Sequence, residues 1–233
     1  MPLVSTKTLL NIAEEKNFAL PAFNIPIPEF ILWILEEAET LRAPVIIQVA
    51  PVEYKALHIA MFRGTLLSLS EHFSVPFSLH LDHAHREEEV LLAIQNGFSS
   101  VMIDGSRLPF PENVRLTKGI VDLAHPVQVL VEGELGRVGG LEGDEIWEKE
   151  ANEDEFFTSP EEAEQFVQEV PVGYVSGGGG YSSRSLRRPG AQIAIRTHRA
   201  HLPKNTSPLG PPRGNRYPHR RFAGSKPKRG EKN

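Results

Sequence analysis

From residue 21 onward, short apolar runs alternate with longer amphipathic ones. PAFNI (21–25) reads as a brief strand. Pro28 follows where a first helical turn tolerates it, and EFILWILEEAETLRA (29–43) continues as an amphipathic helix. PVIIQVA (44–50) is β-branched and apolar, the pattern of a strand buried on both faces. Residues 54–72 read as helical, and PFSLHLD (76–82) as the third strand. REEEVLLAIQNG (86–97) is a helix with acids in its first turn and Gly97 at its end, as the dipole and the C-cap require. SSVMIDG (99–105) is the fourth strand, 112–124 a helix, and VQVLVEGEL (127–135) the fifth strand. A glycine-rich loop precedes SPEEAEQFVQEV (159–170), a helix with Ser159 as N-cap, and PVGYV (171–175) opens a sixth strand.

Strand–helix units recurring about every 22–28 residues imply a parallel α/β sheet with right-handed crossovers. Residues 1–175 supply about five and a half such units. A doubly wound sheet and an incomplete eight-fold barrel both remain open, since a complete barrel takes about 250 residues.

Charge divides the chain at the same place as pattern. Residues 176–233 hold 14 of the 25 Lys+Arg and one of the 30 acids, Glu231, leaving 11 basic and 29 acidic residues in 1–175. A body of about −18 is thus joined to a tail of about +13, a contrast foreign to a single folded unit. The tail is rich in Pro, Gly and Arg, lacks a period of 2 or 3.6 beyond AQIAI, and reads as disordered. Its tetraglycine (177–180) has no GK[ST] after it, so it is no phosphate loop. Its basic residues lack the interleaved aromatics of a nucleic-acid module, so no nucleic-acid partner is expected. The absence of cysteine rules out disulfides and thiolate ligands. The charged, amphipathic start resembles no signal peptide, and no apolar run approaches the roughly 20 residues of a span. The expectation is a soluble, cytoplasmic protein without a membrane partner.

Active groups in parallel α/β folds gather at the carboxyl ends of strands. Asn24 ends the first strand, Asp82 and His83 the third, Asp104 the fourth, and Glu132 and Glu134 the fifth; the following loop adds Glu142. An imidazole among carboxylates suits zinc or a similar divalent ion, with a carboxylate to spare for proton transfer. Each has a plainer reading: a structural histidine, a turn-forming Asp before Gly-Ser, helix-capping acids. The agreement of three successive strand ends favours the site. His80 and His85 read as structural or supporting.

PAFN, HLDH, GFSSVMIDGS and VEGELGRVGG, in this order and spacing, resemble the class II, metal-dependent ketose-bisphosphate aldolases, over about residues 3–175. The resemblance implies a (β/α)8 barrel forming a homo-oligomer, dimer or tetramer. It also implies catalytic Zn2+, with a second divalent or monovalent cation, acting on a fructose or tagatose 1,6-bisphosphate. By position it makes His83 a zinc ligand, and Asp104 and Glu134 ligands of a second or alternate metal position. Asp82 becomes the acid/base at the aldehyde oxygen, Glu142 an acid moving a proton at the dihydroxyacetone phosphate carbon, and Asn24 a substrate neighbour.

The chain departs from the pattern. Ala50 stands where the family has Ser, Arg107 replaces a common His, and two further zinc histidines, in GT-HG and L-HGG motifs, are missing. Residues 175–188 can be encoded so that removing one base after codon 175 yields VAVAVGTVHGVYG, and in the same frame 206–218 yields PLPLVLHGGTGT. Both missing motifs return, their histidines about 29 codons apart. The tail then reads as out-of-frame, and the written chain as a barrel of impaired activity. Two rival readings are a binding protein with a functional basic tail and another metal-dependent barrel enzyme such as a hydrolase.

Overall fold

In the computed structural model the described residues are 2–57, 59–136, 141–142, 145–146 and 158–177. Six strands, β1 (Ala22–Asn24), β2 (Val45–Val49), β3 (Phe77–Ala84), β4 (Ser100–Ile103), β5 (Leu130–Leu135) and β8 (Tyr174–Gly177), form one sheet. Between the last two lies a small antiparallel pair, β6 (Leu141–Glu142) and β7 (Glu145–Ile146). The helices are α1 (Thr6–Lys16), α2 (Glu29–Leu41), α3 (Pro51–Leu57), α4 (Ile59–Ser70), α5 (Glu87–Gln95), α6 (Phe110–Ala124) and α7 (Pro160–Glu169).

Every pairing in the six-stranded sheet is parallel, and the strand order follows the chain without reversal. That decides between the two architectures. A doubly wound sheet reverses its order at a switch point. Uniform right-handed crossovers that always advance one way put all connecting helices on one face, and twist curls such a sheet into a barrel wall. The chain forms an incomplete (β/α)8 barrel, with β1 and β8 as its edges among the described residues.

Alternation along the strands separates two faces. Val45, Ile47 and Val49, with Phe77, Leu79 and Leu81 and then Val101, Ile103 and Val131, look outward and form the core with the helices. Gln48, His80, Asp82, Ser100 and Glu132 look inward and are buried too. At the amino ends of β3 and β4, the Thr6 hydroxyl on α1 donates to Ser78 Oγ (3.0 Å) and shares a hydrogen bond with Ser99 Oγ (3.0 Å). Gly133 lets α7 press on β5: a Cβ there would stand 2.8 Å from the Phe166 ring.

The expected elements form, with shifted bounds. The helix foreseen at 54–72 is the pair α3 and α4, which starts earlier because Pro51 suits a first turn. The fifth strand begins only at Leu130, since His125–Val127 form a 3-10 turn closed by Gln128 at φ 62°. β3 runs two residues further than its apolar pattern showed, for a reason that bears on the site. The tail expected to be disordered from residue 176 starts later: Ser176 and Gly177 extend the sixth strand, paired with Glu134 and Leu135 of β5, and residues from 178 on lie outside the described residues.

Candidate active site

The β3–β4 register pairs Leu81 with Val101 and then Ala84 with Ile103. Three steps on β3 therefore match two on β4, a β-bulge that sets Asp82 and His83 together opposite Met102. His83 adopts the left-handed conformation, φ 47°, which a regular strand residue avoids. In an unbroken strand consecutive side chains take opposite faces, and His83 would point at the helices. The bulge brings both residues to the inner rim.

There His83 Nδ1 lies 3.2 Å from Asp104 Oδ2 and 3.3 Å from Glu134 Oε2. Asp104 also accepts at Oδ1 from the Ser106 N–H (3.0 Å) and hydroxyl (2.6 Å). Burial on its own would lower the imidazole pKa, but hydrogen bonds to the Asp104 and Glu134 carboxylates and the nearby Asp82 charge push it up to about 11. Burial would likewise raise the Asp104 carboxyl, yet hydrogen bonds from His83 and Ser106 bring it down to about 2. Unliganded, the site holds an imidazolium between carboxylates, and a metal ion taking this place must displace the proton.

The donor set fits a metal. One nitrogen and two carboxylate oxygens lie within 4.8 Å of one another. Adjacent ligands about 2.0–2.1 Å from a tetrahedral ion stand about 3.4 Å apart, close to the two spacings from His83 Nδ1.

Asp82 sits beside this group in a polar clamp. Its Oδ2 accepts from Gln48 Nε2 (2.6 Å) and Asn24 Nδ2 (3.1 Å), and Gln48 Nε2 also donates to Asn24 Oδ1 (2.8 Å). Its Oδ1 faces His80 Nε2 at 3.9 Å. That same nitrogen lies 3.4 Å from Glu132 Oε2, and His80 Nδ1 is bonded to Ser100 Oγ (2.8 Å). The expected residues Asn24, Asp82, His83, Asp104 and Glu134 thus converge from β1, β3, the residue after β4, and β5. Glu142 is on β6, but its side chain lies outside the described residues. Gln48 was missed: one polar residue in VIIQV leaves the apolar run almost intact. His85 stands apart, its N–H donating to Glu89 Oε2 (3.1 Å).

Residues 4–178 match the sequence family Fructose-bisphosphate aldolase class-II, three quarters of the chain. The chain belongs to that family. Among solved structures, this class II aldolase relative resembles the YdjI aldolase of Escherichia coli K12, with 28% identity over 76% of this chain and 61% of the other and a TM-score of 0.63. A Coccidioides immitis protein solved as a candidate fructose-1,6-bisphosphate aldolase matches with 29% identity over 75% and 60%, TM-score 0.60. Campylobacter jejuni fructose-bisphosphate aldolase, 23% identical over 76% and 58% with TM-score 0.57, shares the fold. The class II chain thus spans about three fifths of the length of the structures it matches. No helix among the described residues is long and apolar enough to cross a membrane.

Proposed function

We propose that residues 1–175 build the first part of a zinc-dependent site for aldol cleavage and condensation. The substrate class is a ketose 1,6-bisphosphate, fructose or tagatose, divided into dihydroxyacetone phosphate and glyceraldehyde 3-phosphate. The observation that carries the reading is the convergence of His83, Asp104 and Glu134, with Asp82 beside them on the same bulge, in a chain of the class II family. His83 would hold the metal, with Asp104 and Glu134 as ligands of the same or a second cation position. Bound there, a divalent ion supplies Lewis-acid polarisation of the substrate's carbonyl and hydroxyl oxygens.

Asp82 is the proton carrier at the aldehyde oxygen in this reading. Two amide donors fix its Oδ2, so the carboxylate cannot rotate away from its working direction. Asn24 is aligned by Gln48 and presents itself at the edge of the site as a substrate contact. Glu142 serves proton transfer at the dihydroxyacetone phosphate carbon. The working assembly is a cytoplasmic homo-oligomer.

We further propose that the chain as written is impaired, the sequence from 176 being out of frame and, beyond the Ser176–Gly177 end of β8, separate from the barrel domain. Sequencing the gene across codons 170–220 and assaying both reading frames tests this. The corrected chain should cleave one of the two bisphosphates in a zinc-dependent manner, and the 233-residue chain should show little or no turnover. Ordinary enzyme rates from the 233-residue chain would remove the impairment, and an inactive corrected chain would remove the frameshift reading.

A further inference from the structure

Asp104 and Glu134 come from neighbouring strands, yet the β4–β5 register last pairs Ile103 with Gly133, one residue short of both. Asn113, on the first turns of α6 and 2% exposed, reaches exactly this gap from behind. Its Nδ2 donates to the Glu134 carbonyl oxygen at 2.7 Å. Its amide also lies against Gly105, the residue after Asp104: a Cβ built there would stand 2.7 Å from Asn113 Cγ and closer still to Oδ1. The Glu134 carbonyl can only accept, which settles which way the amide faces, and Thr117, one turn on and fully buried, then donates to Asn113 Oδ1 (3.1 Å). One side chain is therefore held by its own helix while touching the chain beside both carboxylates.

We infer that Asn113 is a positioning residue for the metal centre, with Thr117 as its orienter and Gly105 as the space it needs. It fixes the distance between the Asp104 and Glu134 carboxylates, and so the size of the opening offered to a divalent cation. The inference rests on the proposed metal site. Outer partners of this kind typically change metal affinity by about 10–100-fold when removed.

The test is Co2+ titration of the full 233-residue chain, read by the visible d–d spectrum of the bound ion. The unsubstituted chain should give a spectrum that His83→Asn abolishes. Asn113→Leu, close in shape, should weaken Co2+ binding about 10–100-fold and alter the band pattern. Thr117→Val should act in the same direction about 3–10-fold, as the milder change. Gly105→Ala should imitate Asn113→Leu, and the double substitution Gly105→Ala with Asn113→Ala should be no worse than Asn113→Ala alone, since both act through one contact. Thermal unfolding without metal, run on each variant, separates loss of folding from loss of the site. If Asn113→Leu fails to fold, Thr117→Val and Gly105→Ala decide the matter. A His83-dependent spectrum left unchanged by the Asn113, Thr117 and Gly105 substitutions overturns this inference alone. The absence of any His83-dependent spectrum overturns the metal site, and this inference with it.

Discussion

At His83 a left-handed backbone, a bulge and a buried ion cluster coincide. Asparagine tolerates the same backbone conformation better than most residues, so His83→Asn isolates the loss of the imidazole. Without metal, that change leaves Asp104 and Glu134 buried close together without the imidazolium that bridges them. Removing one partner from a buried ionic cluster costs about 3–5 kcal/mol. Urea unfolding in chelator should show a loss of that size, and Glu134→Gln in the same chain should recover most of it. A change below about 1 kcal/mol would mean the cluster is far better hydrated than its burial indicates. The sequence made His83 visible through the density of titratable groups in HLDH. It could not reveal the bulge, because a bulge depends on the register of a second strand and leaves no periodicity of its own. Gln48 was hidden for a related reason: its importance comes from facing Asp82, which only the pairing of β2 with β3 creates.

At the scale of elements, side chains reach across to fasten loops that the sheet leaves loose. Glu39 on α2 accepts hydrogen bonds from the Ser74 N–H (2.9 Å), the Val75 N–H (2.7 Å) and the Ser74 hydroxyl, and so pins the approach to β3. The Ser74 hydroxyl, followed by the two amides, holds the Glu39 carboxyl below its usual value of 4.5. A carboxyl depressed on folding contributes stability that is present above its unfolded value and disappears as pH falls through the folded one. The stability difference between the unsubstituted chain and Glu39→Gln should therefore be full near neutrality and shrink below about pH 4.5. Denaturation curves at a series of pH values measure it, and a difference that grew on acidification would contradict the clasp. Most elements were legible because their apolar runs are strong and their ends carry turn chemistry, as with Ser159 accepting from the Glu162 N–H (3.3 Å). Where Pro126 and Gln128 interrupted an apolar run, the local backbone won and β5 started late.

For the molecule as a whole, six parallel strands in chain order settle an architecture that unit counting had left undecided. Strand–helix alternation alone cannot distinguish winding one way from winding both ways, since neighbours in space are not marked in sequence. A cation held only by the folded protein stabilises all of it by mass action. Co2+ at a hundred times its dissociation constant should raise the unfolding free energy by about 2.7 kcal/mol, and the His83→Asn chain should not respond. Equal responses from both chains would place the bound ion elsewhere. The strand order has a further consequence for how the protein is made. Each strand pairs with the one before it, so the sheet can grow at one edge as the polypeptide leaves the ribosome. At about 5–20 residues per second, the roughly 50 residues from Phe77 to Leu130 take on the order of 3–10 s to emerge. During those seconds each new strand's greasy side is covered by its own following helix. The side left bare to water carries Gln48, His80, Asp82, Ser100 and Glu132 beside Ile46 and Met102, so the nascent sheet shows water a mixed face and not a continuous greasy one.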